Sequence, residues 1–134
     1  MSRYAYTLLG SLLVSLVACA ESPAKPGHGL EAVALQGQCA LRDASGASSP
    51  LDIPWPCELH STPDGEVRVV TFEGHPIVLL QHSQPEAPPG QGCRTHLQAL
   101  RLVDGHWEKS LPNANASCPH GQWDEKLYTG MFEQ

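Results

Sequence analysis

The chain has 134 residues, with fourteen acidic side chains against eight basic ones. One of the eight, Arg3, and none of the fourteen precede residue 19, so the remainder is twice as rich in acidic as in basic groups. That balance argues against a nucleic-acid partner, which needs a basic footprint to neutralise phosphates, and against docking on anionic lipid through a basic patch. It serves solubility, and it also suits a basic partner.

In chain order, Met1 to Tyr6 is a short start with one positive charge. Thr7 to Val17 reads TLLGSLLVSLV, the length of a signal-peptide apolar core and too short to span a bilayer. Leu16-Val17-Ala18-Cys19 follows and resembles the lipobox of bacterial lipoproteins: Leu three before the cysteine, aliphatic and small residues between. The resemblance implies that residues 1–18 are a signal peptide cut between Ala18 and Cys19. It also implies that the Cys19 thiol receives a diacylglyceryl group and that the new amino group is acylated, by palmitate or a similar chain. One acyl chain anchors marginally at about 0.8 kcal/mol per buried methylene; two or three anchor durably. Ala20 stands where an Asp would retain a lipoprotein in the inner membrane in enteric-type sorting. The implied address is therefore the outer membrane, facing the periplasm.

Residues 20–32, AESPAKPGHGLEA, have no apolar period. With Cys19 they read as a flexible linker spanning about 20 Å. A single small domain is expected over residues 33–134.

Residues 32–42 read as the first strand, with Val33, Leu35, Cys39 and Leu41 alternating on one face. Asp43-Ala44-Ser45-Gly46 ends it. Residues 47–56, ASSPLDIPWP, are extended but broken by proline, which suits an edge or a crossing loop. Leu51, Ile53, Trp55 and Cys57 alternate there. A short strand at 57–60 turns at Thr62-Pro63-Asp64-Gly65. Residues 66–72, EVRVVTF, are β-rich, Glu73-Gly74-His75-Pro76 turns again, and Ile77 to His82 is an apolar strand.

Residues 83–92, SQPEAPPGQG, read as a mobile or polyproline-like loop. Strands at 94–103 and 106–111 flank Asp104-Gly105, a two-residue hairpin signal. Trp123, Leu127 and Met131 recur at helical spacing and predict a short terminal helix over the sheet. Gly130 weakens that helix. The expected fold is mainly β: a small antiparallel sheet or sandwich of five or six strands.

Beyond Cys19 four cysteines remain, and an even number in a small exported domain reads as two disulfides. Of the three pairings the sequence favours Cys39–Cys57 with Cys93–Cys118. Strand phase turns the first two thiols towards the core. Pairing across Asp104-Gly105 brings Cys93 near residue 116. Closing loops of this size contributes about 3 kcal/mol each in the chain-entropy account.

Chemical constellations are sparse. Cys57-Glu58-Leu59-His60 and Cys93-Arg94-Thr95-His96 read C-x-x-H, and Cys118-Pro119-His120 is close. Zinc takes such ligands, but exported cysteines oxidise and residues three apart in a strand face opposite ways. No C-x-x-C is present, so neither a thioredoxin-like redox site nor a c-type haem is indicated. The seven histidines, His28, His60, His75, His82, His96, His106 and His120, show no i, i+2 or i, i+4 pair. They read as scattered surface and turn residues, and neither a metal nor a cofactor is expected. No G-x-S-x-G, S-x-x-K or H-E-x-x-H occurs, so no catalytic residue is assigned and an enzyme is not expected. Asn115-Ala116-Ser117 matches a glycosylation sequon, which a bacterial lipoprotein does not ordinarily use. Trp55 and Trp123 read as core; Trp107, near a hairpin tip, reads as either core or binding residue.

These features favour a tethered, non-catalytic module that binds an envelope or secreted protein. In signal, anchor and size the chain resembles small lipoproteins that neutralise hydrolases, such as periplasmic lysozyme inhibitors and the immunity lipoproteins of contact-dependent secretion systems. The alternatives are a histidine-based metal-binding lipoprotein and an accessory of envelope assembly.

Overall fold

A computed structural model describes residue 19, residues 22–119 and residues 122–133. The fold is mainly β, in antiparallel sheets with one short C-terminal helix and two disulfides. The first sheet joins β1 (Glu31–Leu35), β2 (Gln38–Arg42) and β3 (Ser48–Pro54) in the order β1-β2-β3. The second contains β4 (Glu58–Leu59), β5 (Val70–Phe72), β6 (His75–Pro85), β7 (Cys93–Val103), β8 (His106–Lys109) and β9 (Asn113–Asn115). Its centre is the long β6–β7 hairpin, paired from Ile77↔Arg101 to Pro85↔Cys93. Along the free side of β6 lie β4 and β5; along that of β7 lie β8 and β9.

The single strand expected over 32–42 is a hairpin. Gln36 and Gly37 both have positive φ, 52° and 78°, the backbone of a two-residue turn whose twist matches its strands. The fold-back changes the phase. Ala34 pairs with Cys39 and Ala32 with Leu41, so these four share the side of the sheet that turns to the core, where Ala32, Cys39 and Leu41 pack and Ala34 stays exposed. Val33 and Leu35 face the other way. Cys39 and Leu41 are buried as expected, but Leu35 is 40% exposed. β3 is the proline-bearing edge strand, and Leu51 and Ile53 point inward. Beyond Pro54 the alternation fails, and Trp55, read as core, is 40% exposed.

Strand ends also differ. The polar loop expected over 83–92 begins later, because β6 runs on to Pro85 and leaves a loop of 86–92. Ser83 and Thr95 support this extension by sharing a hydroxyl hydrogen bond of 2.7 Å across the ladder. The Asp104-Gly105 turn is present. Register then moves by one residue, from Leu100↔Lys109 to Leu97↔Asn113, which brings Cys118 to Cys93. The nine strands among the described residues exceed the expected five or six because short pieces such as β4, β5 and β9 each occupy only part of an edge.

Two apolar layers hold this arrangement. Between the sheets pack Cys39, Leu41, Leu51, Ile53, Val78, Leu80 and Leu100. On the opposite face of β6–β7, Ile77, Leu79, Leu97 and Ala99 pack under the helix α1 (Glu125–Gly130) through Tyr128 and Met131, with Trp123 and Leu127 partly buried there. Asp124 caps the helix by accepting from the Lys126 N–H at 2.8 Å. Removing a side chain of Tyr128's class from water contributes about 1.5–3 kcal/mol. A six-residue helix is not stable alone, so this burial is what keeps it folded.

The chain enters the first sheet at Glu31, two residues inside the segment read as linker. The turn before it is packed: a Cβ on Gly27 would lie 2.9 Å from Val69 Cγ2.

Candidate functional site

Cys19 is the only free cysteine among the described residues, and it is exposed. Ala18 and the apolar run before it lie outside the described residues. The other four cysteines form Cys39–Cys57 and Cys93–Cys118. Neither C-x-x-H stretch therefore has a thiol to offer. Among the described residues no group of three or more His, Cys, Asp or Glu gathers closely enough to hold an ion.

The histidines separate by role. His60 Nδ1 lies 2.8 Å from the Tyr128 hydroxyl, in the core. His75 Nδ1 donates to the Leu102 carbonyl at 3.2 Å. His28 and His106 are exposed, and His120 lies outside the described residues. His82 and His96, fourteen positions apart, stand directly opposite one another on β6 and β7 with ring centres 6.1 Å apart. Sequence spacing is blind to that proximity, because it depends on hairpin register.

Around Tyr128 a polar cluster fastens the helix to the sheet. The Arg68 guanidinium sits 5.2 Å above the Tyr128 ring and donates to the Trp123 carbonyl. Trp123 donates its indole N–H to Gln81 Oε1 at 2.7 Å, and Gln81 donates to Glu58 Oε1 at 2.6 Å. Burial pushes the Tyr128 hydroxyl up to about 12, against the opposing pull of Arg68. A phenol held neutral in this way is a structural hydrogen-bonding group and a poor nucleophile.

A second cluster closes the free edge of β3. The Asp52 N–H donates to Gln98 Oε1 at 2.6 Å, and Gln98 Nε2 donates to Asp52 Oδ2 at 2.9 Å and to the Ser110 carbonyl at 2.7 Å. Lys109 reaches Asp52 Oδ1 at 2.9 Å. The Gln98 hydrogen bond, then Lys109, hold the Asp52 carboxyl below its usual range. The edge is thus protected from pairing with another strand.

The outward face of the first sheet is open at one end: Leu35 and Pro54 are exposed there, while Ala40 at its centre is fully buried. Register and alternation put Val33, Leu35, Gln38, Ala40, Pro50 and Pro54 on it, together with the charged Glu31, Arg42 and Asp52. Leu35, Gln38 and Pro54 form one row across the ladder, and exposed Trp55 follows Pro54 directly. At the other end of β1 stands the exposed Glu31–Arg42 ion pair, 3.6 Å. Sequence reasoning named Trp55 as core and grouped Leu35 with Cys39, so it missed this face. The overlooked signal is Gln36-Gly37, a glycine at the second position of a two-residue turn.

Clefts elsewhere are small or polar. One of about 170 Å³ lies between Phe72, His75, Arg101 and Phe132. Another, of about 410 Å³ at the β6–β7 tip, is lined by Gln84, Pro85, Glu86, Ala87 and Arg94. Neither has the apolar enclosure of a small-molecule site. Trp107 is half-buried against the inter-sheet core. No protein family, no curated protein and no solved structure matches the chain.

Proposed function

We propose that this chain is an exported, lipid-anchored module that binds another envelope or secreted protein through the outward face of its first sheet, without catalysing a reaction. One observation carries the binding face: Leu35 and Trp55, each 40% exposed, lie at the same end of the first sheet, Leu35 in the row that ends at Pro54 and Trp55 next after it. Exposed tryptophan with aliphatic neighbours is the composition of interface hot spots.

Position supports a protein partner over a lipid one. The chain joins this sheet at Glu31, and β1 runs from there to Leu35. At about 3.4 Å per residue the Leu35–Trp55 end lies more than a nanometre beyond the point where the linker attaches. An anchor at Cys19 therefore leaves the apolar end facing away from the attachment point. Two disulfides suit an oxidising compartment, which agrees with export and with an outer-membrane address on the periplasmic side. Cys19→Ser tests the anchor: the protein should leave the membrane fraction and its N-terminal peptide should lose its lipid mass.

The binding reading is tested by immobilising the protein and identifying what it retains from detergent-solubilised envelope and secreted fractions. One stoichiometric protein held by wild type and lost by Leu35→Glu and Trp55→Ala supports it. Equal retention by all three removes this face from the account.

A further inference from the structure

His82 and His96 occupy facing positions on the face of β6–β7 that looks toward the first sheet, away from the proposed protein-binding face. Their ring centres are 6.1 Å apart and the rings are inclined by 40°. Two imidazoles that ligate one ion at about 2.0–2.1 Å have centres about 4.5–6.4 Å apart, according to the angle at the metal. The observed spacing lies at the wide-angle end of that span, an N–metal–N angle of about 145° that is far from the tetrahedral arrangement of zinc and nearer to trans coordination.

His82 is also oriented as ligating histidines are. Its Nδ1 lies 2.6 Å from the Pro56 carbonyl. A carbonyl only accepts, so Nδ1 carries the proton and the neutral ring keeps its lone pair on Nε2. A backbone acceptor on the far nitrogen fixes tautomer and ring direction in metal sites generally. His82 is 5% exposed, while His96 is half-buried and opens the pair to solvent. Strand pairing runs past both residues to Pro85↔Cys93, and Cys93 is tied to Cys118. The two backbones are therefore held in place before any ion arrives, which lowers the ordering cost of binding.

We propose that His82 and His96 form a cross-strand, two-imidazole site for a divalent transition-metal ion, Cu²⁺ ahead of Zn²⁺. Water completes the coordination, since no third His, Cys, Asp or Glu gathers here among the described residues. On the same face the neighbours along the strands are Leu80 and Gln98 to one side, Gln84 and Arg94 to the other. The Arg94 cation opposes a second positive charge and keeps the affinity modest.

The test is titration calorimetry of the intact protein in detergent with Cu²⁺ and then Zn²⁺, alongside thermal unfolding with and without metal. Four proteins are compared: wild type, His96→Ala, His82→Asn and the control His106→Ala. Asparagine retains a donor for the Pro56 carbonyl and lacks Nε2. Wild type and His106→Ala should take up one Cu²⁺ alike and unfold at a higher temperature with it. His96→Ala and His82→Asn should bind about tenfold or more weakly and lose the thermal shift. If His82→Asn does not fold, judged by circular dichroism, His96→Ala decides alone. Absence of binding at micromolar Cu²⁺, or equal binding by all folded variants, overturns the proposal.

Discussion

Tyr128 is completely buried and packs in the apolar layer beneath the helix. It joins three elements: its own helix, His60 after β4, and Arg68 before β5. Tyr128→Phe keeps the apolar volume and removes the hydroxyl, so it should lower stability at neutral pH by about 1 kcal/mol. Its pH signature is more specific. Burial raises the Tyr128 pKa from 10.0 to about 12, so the folded state binds a proton that the unfolded state has released. Stability is full below pH 10 and falls as pH rises towards about 12. Denaturant unfolding across that interval should show the loss in wild type and not in Tyr128→Phe. Residues 19–134 contain no other tyrosine, so in a chain cut before Cys19 an ultraviolet titration reads this one group.

At the scale of elements, the β1–β2 hairpin rests on its turn. Gly37 has φ 78° and a Cβ there would meet nothing within 4 Å. Gly37→Ala should therefore cost only the left-handed backbone penalty, about 1 kcal/mol, measured as a lower denaturation midpoint with the same slope. The two disulfides brace different layers. Cys39–Cys57 sits at the inter-sheet core, whereas Cys93–Cys118 ties the chain before the helix to the start of β7. Cys93→Ala with Cys118→Ala should cost about 2–5 kcal/mol and increase hydrogen exchange first in the C-terminal helix and β9.

Both disulfides, the Asp104-Gly105 hairpin, the edge character of β3 and the terminal helix were legible in the sequence, because each has a local cue: parity of cysteines, a turn dipeptide, prolines, a helical apolar spacing. The first hairpin was not, because an uninterrupted alternation across Gln36-Gly37 reads the same whether or not the chain folds back. That one turn reverses which residues face out, and with it went the exposed Leu35. Trp55 was misread for a related reason: alternation was carried past Pro54, where the strand ends. The His82–His96 pair depends on register between strands, for which no spacing along the chain gives a cue.

The whole molecule is a three-layer stack of small sheet, larger sheet and helix. Two of its three apolar surfaces are covered, by sheet on sheet and by helix on sheet. The free edge of β3 is closed by Gln98 and its partners. On the outward face of the first sheet the Leu35–Pro54 end stays exposed, and it lies at the far end of β1 from Glu31, where the chain enters the sheet. The binding reading therefore concerns one patch, and a photoreactive amino acid can interrogate it residue by residue in living cells. Placed at position 35, the probe should yield one discrete heavier adduct on illumination; placed at Asp64, in an exposed turn of the second sheet, it should yield none. An adduct from position 64 with none from position 35, or the same diffuse pattern from both, would contradict the assignment of this face to a protein partner.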